Sequence, residues 1–562
     1  MNKLKNLLKK LYKNEYLNIY LIIVLLFALF MSLPFFIGYI NGDDTPFHYV
    51  NIEERSNSFM ALFGKIIPEV GNNFGYGTGL FYPPLPHVLG GFILMIISNF
   101  GFQAFGALRI LKFIIIFGSA LFMYILGCKI FGNKRKGMLT SIIYITSSYF
   151  LAGNFVRDSL NESFTFIFVP LIFLGLYYLF VEKKKNLFYL CFIGGYVGMM
   201  YSHLVMSVWF TLFLIPVLLL FIKDIFSKSN LISFLISGIS ILLLTSPFTV
   251  PMIEHMVYGN YAIFGERTAD GIWTLPIKGF IMRDAYETSS SGQLFINFAP
   301  IVIILFILGI FKFIKSKDRF NNKFIFGSLL FLLLGIVFTS WTYIWNFVPS
   351  ILLSIQFPWR LVGFATFGAS IFAVYGLDYL FYIFKKKFIP LASIIILSLL
   401  LIFVINNFLV VNFRRHLDTP DVNLGMGWQQ EYLPVATVNN HDYYDNRGKG
   451  IKVLKGNADV KILENDVPNM KFKVSGIDNE AIVELPRLYY LGYVIKDDEG
   501  NSIDYKEDKN GFISLNLKSD GAYVVVYAGT KGYNISIILC FATLLAWMCY
   551  GGYIVHLKRK AR

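Results

Sequence analysis

Ionisable side chains that could carry chemistry follow the first long apolar run of the chain. The segment GDDTPFH places Asp43, Asp44 and His48 directly after a run from about Leu17 to Ile40. Adjacent carboxylates beside an imidazole can act as a general base or hold a divalent metal such as Mg or Mn. The alternative is that an aspartate caps a helix or is simply solvated. We treat the three residues as catalytic candidates and, if a metal is present, as its ligands.

Further candidates lie near the ends of other apolar runs. Each alone has an ordinary structural explanation, such as a snorkelling arginine, a solvated glutamate or a hydrogen-bonded histidine. Together they place acids, bases and cations at the outer ends of several helices, where arginine is suited to grip a phosphate. The candidate substrate-binding residues are Tyr82, Arg157, Glu162, His203, Glu254, His255 and Arg360.

The composition indicates which kind of structure must position these residues. The chain has 562 residues, of which 56% are hydrophobic and 15% are charged, whereas an average soluble protein is about 25% charged. A single soluble core stops growing near roughly 250–300 residues, so membrane lipid is the better solvent for this chain. All four cysteines lie in apolar runs, which excludes a disulfide framework.

The net charge of +15 suggests either nucleic acid or a membrane, and the location of the charge decides between them. About half of the basic residues fall in short clusters between apolar runs, and the rest of the chain is acidic. Lysine and arginine mark cytoplasmic loops, so we expect no nucleic-acid partner and place both termini in the cytoplasm. The clusters cover 3–13, 129–136, 183–185, 223–228, 312–323, 385–387 and 558–562.

Alternation of these clusters with apolar runs predicts about 12 transmembrane helices. Two runs, 83–100 and 107–130, compete for one crossing. The first contains FYPPLPH at its start and a glycine pair, so we assign it to the outer interface as a helix that does not span. The predicted spans are 17–40, 107–130, 138–153, 163–181, 187–203, 204–222, 231–249, 297–315, 324–341, 361–383, 388–411 and 534–556.

The predicted fold is a polytopic α-helical membrane protein with a small extracytoplasmic β-rich domain. Residues 412–531 are polar and carry turn signals between the alternating runs VKILEN, KFKVSG, AIVELPRLYYLGYVI, FISLNLK and YVVVYAG, a pattern typical of short antiparallel strands. We therefore expect a transmembrane domain over 1–411 with a large first outer loop at 41–106. This domain is followed by the β domain over 412–531 and then by a final helix with a basic tail over 532–562.

Several motifs in this order resemble a known group of proteins. The stretch GDDTPFHYVNIEE, followed by GNNFGYGTGLFYPPLPH, resembles bacterial polytopic membrane proteins labelled 6-pyruvoyl-tetrahydropterin synthase-related. RDSLNE, YSH, QFPWR, EYLP and ELPRLYYLGY fit the same pattern, so the resemblance extends from about residue 42 to 530. That group is in turn similar to the GT-C superfamily of integral membrane glycosyltransferases, by layout and by the aspartate after the first helix.

The resemblance implies an activity. GT-C enzymes transfer a sugar from a polyprenyl-phosphate donor, here to an extracytoplasmic envelope glycan, lipid or protein at a bacterial plasma membrane, and we expect the transfer to be inverting. Asp44, or Asp43, matches the position of their catalytic acidic residue. The active site and the β domain would both be extracytoplasmic. No D-x-D motif stands in the loop after the third span, so metal dependence stays open.

Two other functions remain open. A transporter or flippase of lipid-linked glycans needs polar groups along its spans, whereas ionisable residues such as Arg109 and Lys112 lie near span ends here. A non-catalytic envelope scaffold would present the β domain and would tolerate replacement of Asp43, Asp44 and His48.

Overall fold

The chain is predominantly α-helical in the computed structural model. The basic N-terminal segment 3–13 and the cluster 385–387 lie outside the described residues, as do parts of 312–323 and 558–562. The structure describes residues 18–40, 42–68, 73–265, 267–282, 286–287, 293–316, 322–383, 388–410, 415–416 and 430–560.

Many of the helices have the dimensions of membrane spans. Within the described residues, eight helices are long and apolar enough to cross a bilayer, which takes about 20 apolar residues. Helices suit this setting because they satisfy their own backbone hydrogen bonds. The chain therefore has the character of a multi-pass membrane protein. The eight are Ile19–Phe36, Ala104–Phe131, Leu160–Phe180, Lys228–Tyr258, Lys323–Ser340, Pro358–Leu380, Ile389–Asn407 and Lys531–Leu557.

Each of the predicted spans coincides with a helical segment, but not all of these segments have the length and hydropathy of a crossing. The helix Leu204–Leu219 has 16 residues, and so does Pro300–Lys315. The helix Lys185–Ser202 reaches 18 residues but carries polar and glycine positions. Eight candidate crossings are thus present in the described residues, and twelve crossings stay a prediction.

The predicted span 138–153 is divided into two helices. The first, Lys134–Ile145, ends at Thr146, and the second, Ser148–Phe155, begins after Ser147. The side chain of Ser147 accepts a hydrogen bond from the backbone N–H of Phe150 at 3.3 Å, which makes it the N-cap of the second helix. Hydropathy does not detect this break because the residues on both sides are apolar.

The segment 41–106, predicted as the first outer loop, contains short helices within its described residues. Their bounds are Thr45–Ser56, Ala61–Phe63 (3-10), Thr78–Phe81, Leu85–Ile97 and Ser98–Phe100 (3-10). The helix Leu85–Ile97, which corresponds to the predicted interfacial segment, has 13 residues. That length is below the about 20 residues that a crossing requires.

The chain divides into two compact units. The first contains residues 1–49, 105–239 and 267–420, and the second contains 50–104, 240–266 and 421–562. Phenylalanine rings fill the core of the first unit, and the ring centroids of Phe173 and Phe367 are 4.6 Å apart. Its further elements are Ile222–Ile225, Val362–Ile383, Ile389–Val410, the 3-10 turns Ala269–Gly271, Ile277–Phe280, Thr342–Phe347, Ser350–Ile355 and Pro358–Leu361, and the paired strands Tyr39–Ile40 with Arg415–His416 and Tyr286–Glu287 with Gln293–Leu294.

The second unit contains the small β domain near the C-terminal end of the chain. It has two four-stranded antiparallel sheets. In spatial order, one sheet contains Tyr505–Glu507, Phe512–Leu517, Ala481–Leu488 and Lys452–Lys455, and the other contains Asp459–Asp466, Asn469–Ser475, Gly521–Tyr527 and Tyr493–Lys496. The domain also holds Gln430–Tyr432 (3-10), Val435–Asn439 and His441–Asn446, and the helix Lys531–Lys560 follows it. The 3-10 turn Ala262–Phe264 belongs to this unit as well.

The strands form where alternating apolar residues were predicted. Phe472 and Val474 are fully buried on one strand, and Tyr523 and Val525 are buried on its neighbour, with Val525 paired to Met470. Period-two burial is what a sheet with one covered face requires. The predicted β domain is therefore confirmed as a small sheet domain, and its side of the membrane stays a prediction.

A buried ion pair inside the β domain supports a stability prediction. Arg447 Nε lies 2.6 Å from Glu484 Oε1, with neither side chain exposed, and Tyr443 OH donates to the same carboxylate at 2.9 Å. Glu484→Gln should lower the free energy of unfolding by about 1.5–3 kcal/mol, measured by calorimetry of the full chain. Glu480→Gln, at an exposed carboxylate paired with Lys455, is the matched control and should change little. An equal loss in both variants would contradict the prediction.

Candidate functional site

The first compact unit brings together five of the residues predicted from the sequence. They come from the segment after the helix Ile19–Ile37, from the loop before the helix Leu160–Phe180, from that helix, from the junction before Leu204 and from the turn before Val362. We call them the acid–arginine cluster: Asp44, Arg157, Glu162, His203 and Arg360. Its members are far apart in the chain, so the fold is what makes them a site.

Glu162 is the central anion of the cluster. It lies in the first turn of the helix Leu160–Phe180 and is buried. Arg157 Nη1 donates to Oε2 at 3.1 Å, and Arg360 Nε lies 3.5 Å from the same oxygen. The hydroxyl of Tyr149 donates to the other oxygen, Oε1. Two guanidinium groups thus share one buried carboxylate. The two arginines and Glu162 together therefore carry a net charge of +1, before Asp44 is counted.

Asp44 is held beside these arginines by its backbone. Its N–H donates to the carbonyl of Arg157 at 2.9 Å. The side chain is half-buried, and its carboxylate makes no hydrogen bond within the described residues. Burial raises the pKa of Asp44 to about 6, while the positive charges of Arg157 and Arg360 partly oppose that rise. A carboxylate with such a pKa accepts a proton readily near neutral pH.

Buried polar contacts fix the loop that carries Asp44. The backbone N–H of Gly42 donates to Thr45 Oγ1 at 2.8 Å, and this hydroxyl donates to Asp158 Oδ2 at 2.5 Å. Lys112 Nζ lies 2.6 Å from the other oxygen of Asp158, and both side chains are buried. The pair of Lys112 and Asp158 therefore anchors the loop that carries Asp44.

Close packing at Gly42 gives a prediction. A Cβ atom at this position would lie 2.6 Å from Asp158 Cβ and 2.6 Å from the carbonyl oxygen of Val156. Gly42→Ala should therefore displace the loop and cost about 1–3 kcal/mol of stability, with loss of any activity that needs Asp44. Thermal unfolding and turnover test this, with Gly194→Ala as control because nothing lies within 4 Å of a Cβ there. Wild-type behaviour of Gly42→Ala would show that the loop position is not critical.

His203 is the single residue between the helices Lys185–Ser202 and Leu204–Leu219, and it is a member of the cluster. Its Nδ1 accepts the backbone N–H of Met206 at 3.3 Å. Burial and the charge of Arg360 lower the pKa of His203 to about 3. The ring is therefore neutral at pH 7, and because Nδ1 is the acceptor, its hydrogen is on Nε2. His203 can donate a hydrogen bond but is not an acid of the cluster.

Aromatic rings lie next to Arg360. Its Nη1 donates to the carbonyl of Ile355 at 2.9 Å, and its guanidinium is 5.3 Å from the centroid of Phe357. Phe357 stacks on Trp359 at 4.3 Å, and Trp359 meets the half-exposed Trp273 edge to face at 5.3 Å. Flat aromatic surfaces of this kind suit the apolar faces of sugar rings as well as a cation.

His48 has a structural position. It is fully buried, and its Nε2 accepts the backbone N–H of Leu160 at 3.2 Å. Burial and the charge of Lys112 hold the pKa of His48 well below its usual value. Within the described residues no group of three or more His, Cys, Asp or Glu side chains could hold a metal. The metal assignment to His48, Asp43 and Asp44 stays a prediction, and Asp43 is half-buried.

The remaining predicted residues belong to the second compact unit. Glu254 accepts hydrogen bonds from the Thr530 hydroxyl and, at 3.2 Å, from the backbone N–H of Gly532, so it caps the helix Lys531–Lys560. Both ring nitrogens of His255 are engaged, by the Pro251 carbonyl at 2.7 Å and the Leu491 N–H at 3.1 Å. The half-buried ring of Tyr82 is 5.6 Å from that of His87. These residues have structural partners, and their substrate roles stay predictions.

Sequence reasoning missed the residues that support the cluster. Tyr149 lies in the apolar run SSYFLAG, where nothing marks it as a partner of a glutamate. Thr45 is a polar residue in a segment rich in polar residues, whereas Asp158 was visible beside Arg157 at a helix end but not as the partner of Lys112. Lys112 did leave a signal, because a lysine inside the run ALRILKFIII is costly unless it is paired.

Comparison with known proteins identifies a relative of part of the chain. No protein-family model matches the chain. The chain is 26% identical over 331 residues to an uncharacterized protein of Lactococcus lactis subsp. cremoris (strain MG1363). The aligned region covers 55% of this chain and 52% of that protein, so the chain spans about half the length of the curated relative it matches.

Proposed function

We propose that the protein is an integral membrane glycosyltransferase that moves a sugar from a polyprenyl-phosphate donor to an extracytoplasmic acceptor hydroxyl. One observation carries the proposal: a half-buried carboxylate, Asp44, with no hydrogen-bond partner in the described residues, lies beside two arginines. A base and two cations in one water-poor place are what transfer from a phosphate leaving group needs.

In this mechanism Asp44 accepts the proton of the acceptor hydroxyl. The acceptor oxygen forms a bond to the anomeric carbon as the bond from that carbon to the donor phosphate oxygen breaks. Polyprenyl phosphate leaves with the electron pair, and Arg360 and Arg157 stabilise its negative charge. Displacement from the opposite face inverts the anomeric configuration.

The neighbouring groups have supporting roles in the proposal. Nε2–H of His203 is available as a neutral donor to a sugar hydroxyl or to a phosphate oxygen. The half-buried Phe357 and the half-exposed Trp273 offer aromatic surface for the sugar ring, and the buried Trp359 packs against both. Glu162 keeps both arginines in position, and it is a positioning residue because its two oxygens are already engaged. If a divalent metal takes part, Asp43 and Asp44 are the available carboxylates.

The proposed membrane arrangement is that of GT-C enzymes. Twelve spans, both termini in the cytoplasm, and the cluster and β domain on the outer face of a bacterial plasma membrane agree with the basic loops. Support comes from helices at each predicted span and from a first outer loop that contains the helices Thr45–Ser56 and Leu85–Ile97. A similarity of layout to GT-C enzymes does not identify the sugar or its acceptor.

Mass spectrometry of lipid-linked sugars and envelope glycans tests the function. Cells that contain the wild-type protein should carry one sugar substituent on an envelope glycan. In cells that contain Asp44→Asn at the same protein level, this substituent should be absent and its polyprenyl-phosphate donor should accumulate. Asp270→Asn, at an exposed aspartate of the same compact unit, is the matched control. Unchanged glycans in Asp44→Asn cells would favour the scaffold function. Build-up of the complete glycan on its lipid inside the cell would favour the flippase.

A further inference from the structure

The second compact unit contains a buried arginine whose hydrogen-bonding capacity is only partly used. Arg55 lies in the helix Thr45–Ser56 and is 1% exposed. Its Nη1 donates to the carbonyls of Leu62 at 3.0 Å and Gly64 at 2.9 Å. Nε and Nη2 have no hydrogen-bond partner in the described residues. These two N–H groups form the edge of a guanidinium that binds two oxygens of a phosphate or carboxylate in parallel.

A second basic side chain, Lys65, is near enough to feel the charge of Arg55. Lys65 is half-buried, and its Nζ donates to the carbonyl of Pro247 at 2.9 Å and lies 4.8 Å from the centroid of the Tyr533 ring. Burial, together with the charge of Arg55, lowers the pKa of Lys65 to about 7. The carbonyl and the ring hold the amino group in place, and neither of them is an anion.

No acidic group of the described residues pairs with either cation. Burial alone lowers the pKa of Arg55 to about 10, without an opposing carboxylate. The neighbouring groups on Arg55 are the Leu62 and Gly64 carbonyls and the close-packed Gly91, where a Cβ would lie 3.0 Å from Arg55 Cβ. A buried charge that lacks a counter-ion is strongly destabilising, so the contacts among the described residues suit a bound anion.

The turn that holds Arg55 also presents apolar side chains. Leu62, whose carbonyl accepts from Arg55, lies in the 3-10 turn Ala61–Phe63. Phe59, Met60 and Phe63 beside it are 64%, 80% and 56% exposed. Exposed apolar side chains next to an anion site match a ligand that has both a charged group and a hydrocarbon chain.

We propose that Arg55 and Lys65 bind the phosphate headgroup of a lipid, with Phe59, Met60 and Phe63 against its hydrocarbon chain. Nε and Nη2 of Arg55 take two phosphate oxygens, and Lys65 supplies the second positive charge. The two nitrogens are buried, so the proposed binding includes a local opening around Arg55. The site does not depend on the proposed transferase activity, because binding alone is claimed.

Native mass spectrometry of the full-length protein in maltoside detergent, which contains no phosphate, tests the site. Dioleoyl phosphatidic acid is the probe, dioleoylglycerol is the same lipid without phosphate, and inorganic phosphate is the competitor. Wild type should bind phosphatidic acid at least about tenfold more tightly than R55Q, as expected for lost charge-assisted hydrogen bonds. K65M should bind about fivefold more weakly than wild type. K449Q, at an exposed lysine of the same unit, should bind as wild type does.

Separate controls test whether the variants are folded and whether the bound phosphate belongs to a lipid. The melting temperature shows whether R55Q is folded. If R55Q does not fold, K65M still tests the site, because it keeps Arg55 and its contacts to the two carbonyls. Unchanged binding in folded K65M, or equal binding of dioleoylglycerol, would overturn the proposal. Binding of inorganic phosphate as tight as that of phosphatidic acid would overturn the lipid as the source. Transferase turnover is assayed independently, so failure of one proposal does not imply failure of the other.

Discussion

Asp44→Asn is expected to lower the rate of glycosyl transfer by about 10²- to 10⁴-fold, the usual contribution of a general base. Asparagine keeps the size and the backbone contact to Arg157 but cannot accept the proton. Purified wild type and variant in the same membrane mimetic give the comparison, with single-turnover transfer as the readout.

The pH dependence of the wild type separates a base from a structural aspartate. The pKa of Asp44 is raised to about 6, and the base acts in its ionised form. The rate should therefore rise from about pH 5 to about pH 7 and then level off. The same raised pKa means that ionised Asp44 opposes folding above about pH 6, since the folded state binds its proton more tightly than the unfolded state. Asp44→Asn should thus be no less stable than wild type at pH 7.

Asp43→Asn is the matched control for this prediction. Asp43 is also half-buried and adjacent in sequence, so the two variants differ in which carboxylate is lost. We expect Asp43→Asn to keep most of the activity and the pH profile. Loss of activity in Asp43→Asn with retention in Asp44→Asn would assign the base to Asp43. Retention in both would contradict a catalytic role for this loop.

Glu162→Gln is expected to give the largest loss of stability, about 3–5 kcal/mol. The substitution leaves the guanidinium groups of Arg157 and Arg360 without their shared anion in a buried place. It also weakens the bond from Tyr149. Thermal unfolding of the full chain measures the effect, and transfer activity should fall with it because the arginines lose their position.

Glu182→Gln is the control for the loss of a glutamate. Glu182 also contacts two cations, Lys129 and Lys184, both at 2.6 Å, but it is less buried than Glu162, with 18% of its side chain exposed against 4%. Solvent-exposed ion pairs contribute little, so this variant should stay close to wild type in stability. A small effect of Glu162→Gln, no larger than that of Glu182→Gln, would show that Arg157 and Arg360 do not need the carboxylate.

The sequence was sufficient where a local pattern has one physical meaning. Apolar runs of about 20 residues predict helices because lipid leaves the backbone no other partner. Alternating residues in 412–531 predict strands because one face of a sheet must be covered. The break at Thr146–Ser147 was missed because a serine cap inside an apolar run changes hydropathy too little to be seen.

The candidate site was only partly predictable. Helix-end acids, bases and cations could be named from the sequence, and Asp44, Arg157 and Arg360 are among those that the structure groups together. The sequence could not predict that these residues gather around Glu162. It also could not predict that Glu254 caps the helix Lys531–Lys560 instead.

The sequence by itself determined the class of protein, the positions of the apolar helices and the β-rich character of the segment before the last helix. Those properties follow from composition and short-range periodicity, which a chain carries before it folds. Only the tertiary structure decided which ionisable groups share a low-dielectric environment. Contacts such as Arg360 to Glu162 and Lys112 to Asp158 join distant segments, and burial, not residue type, sets the pKa of Asp44.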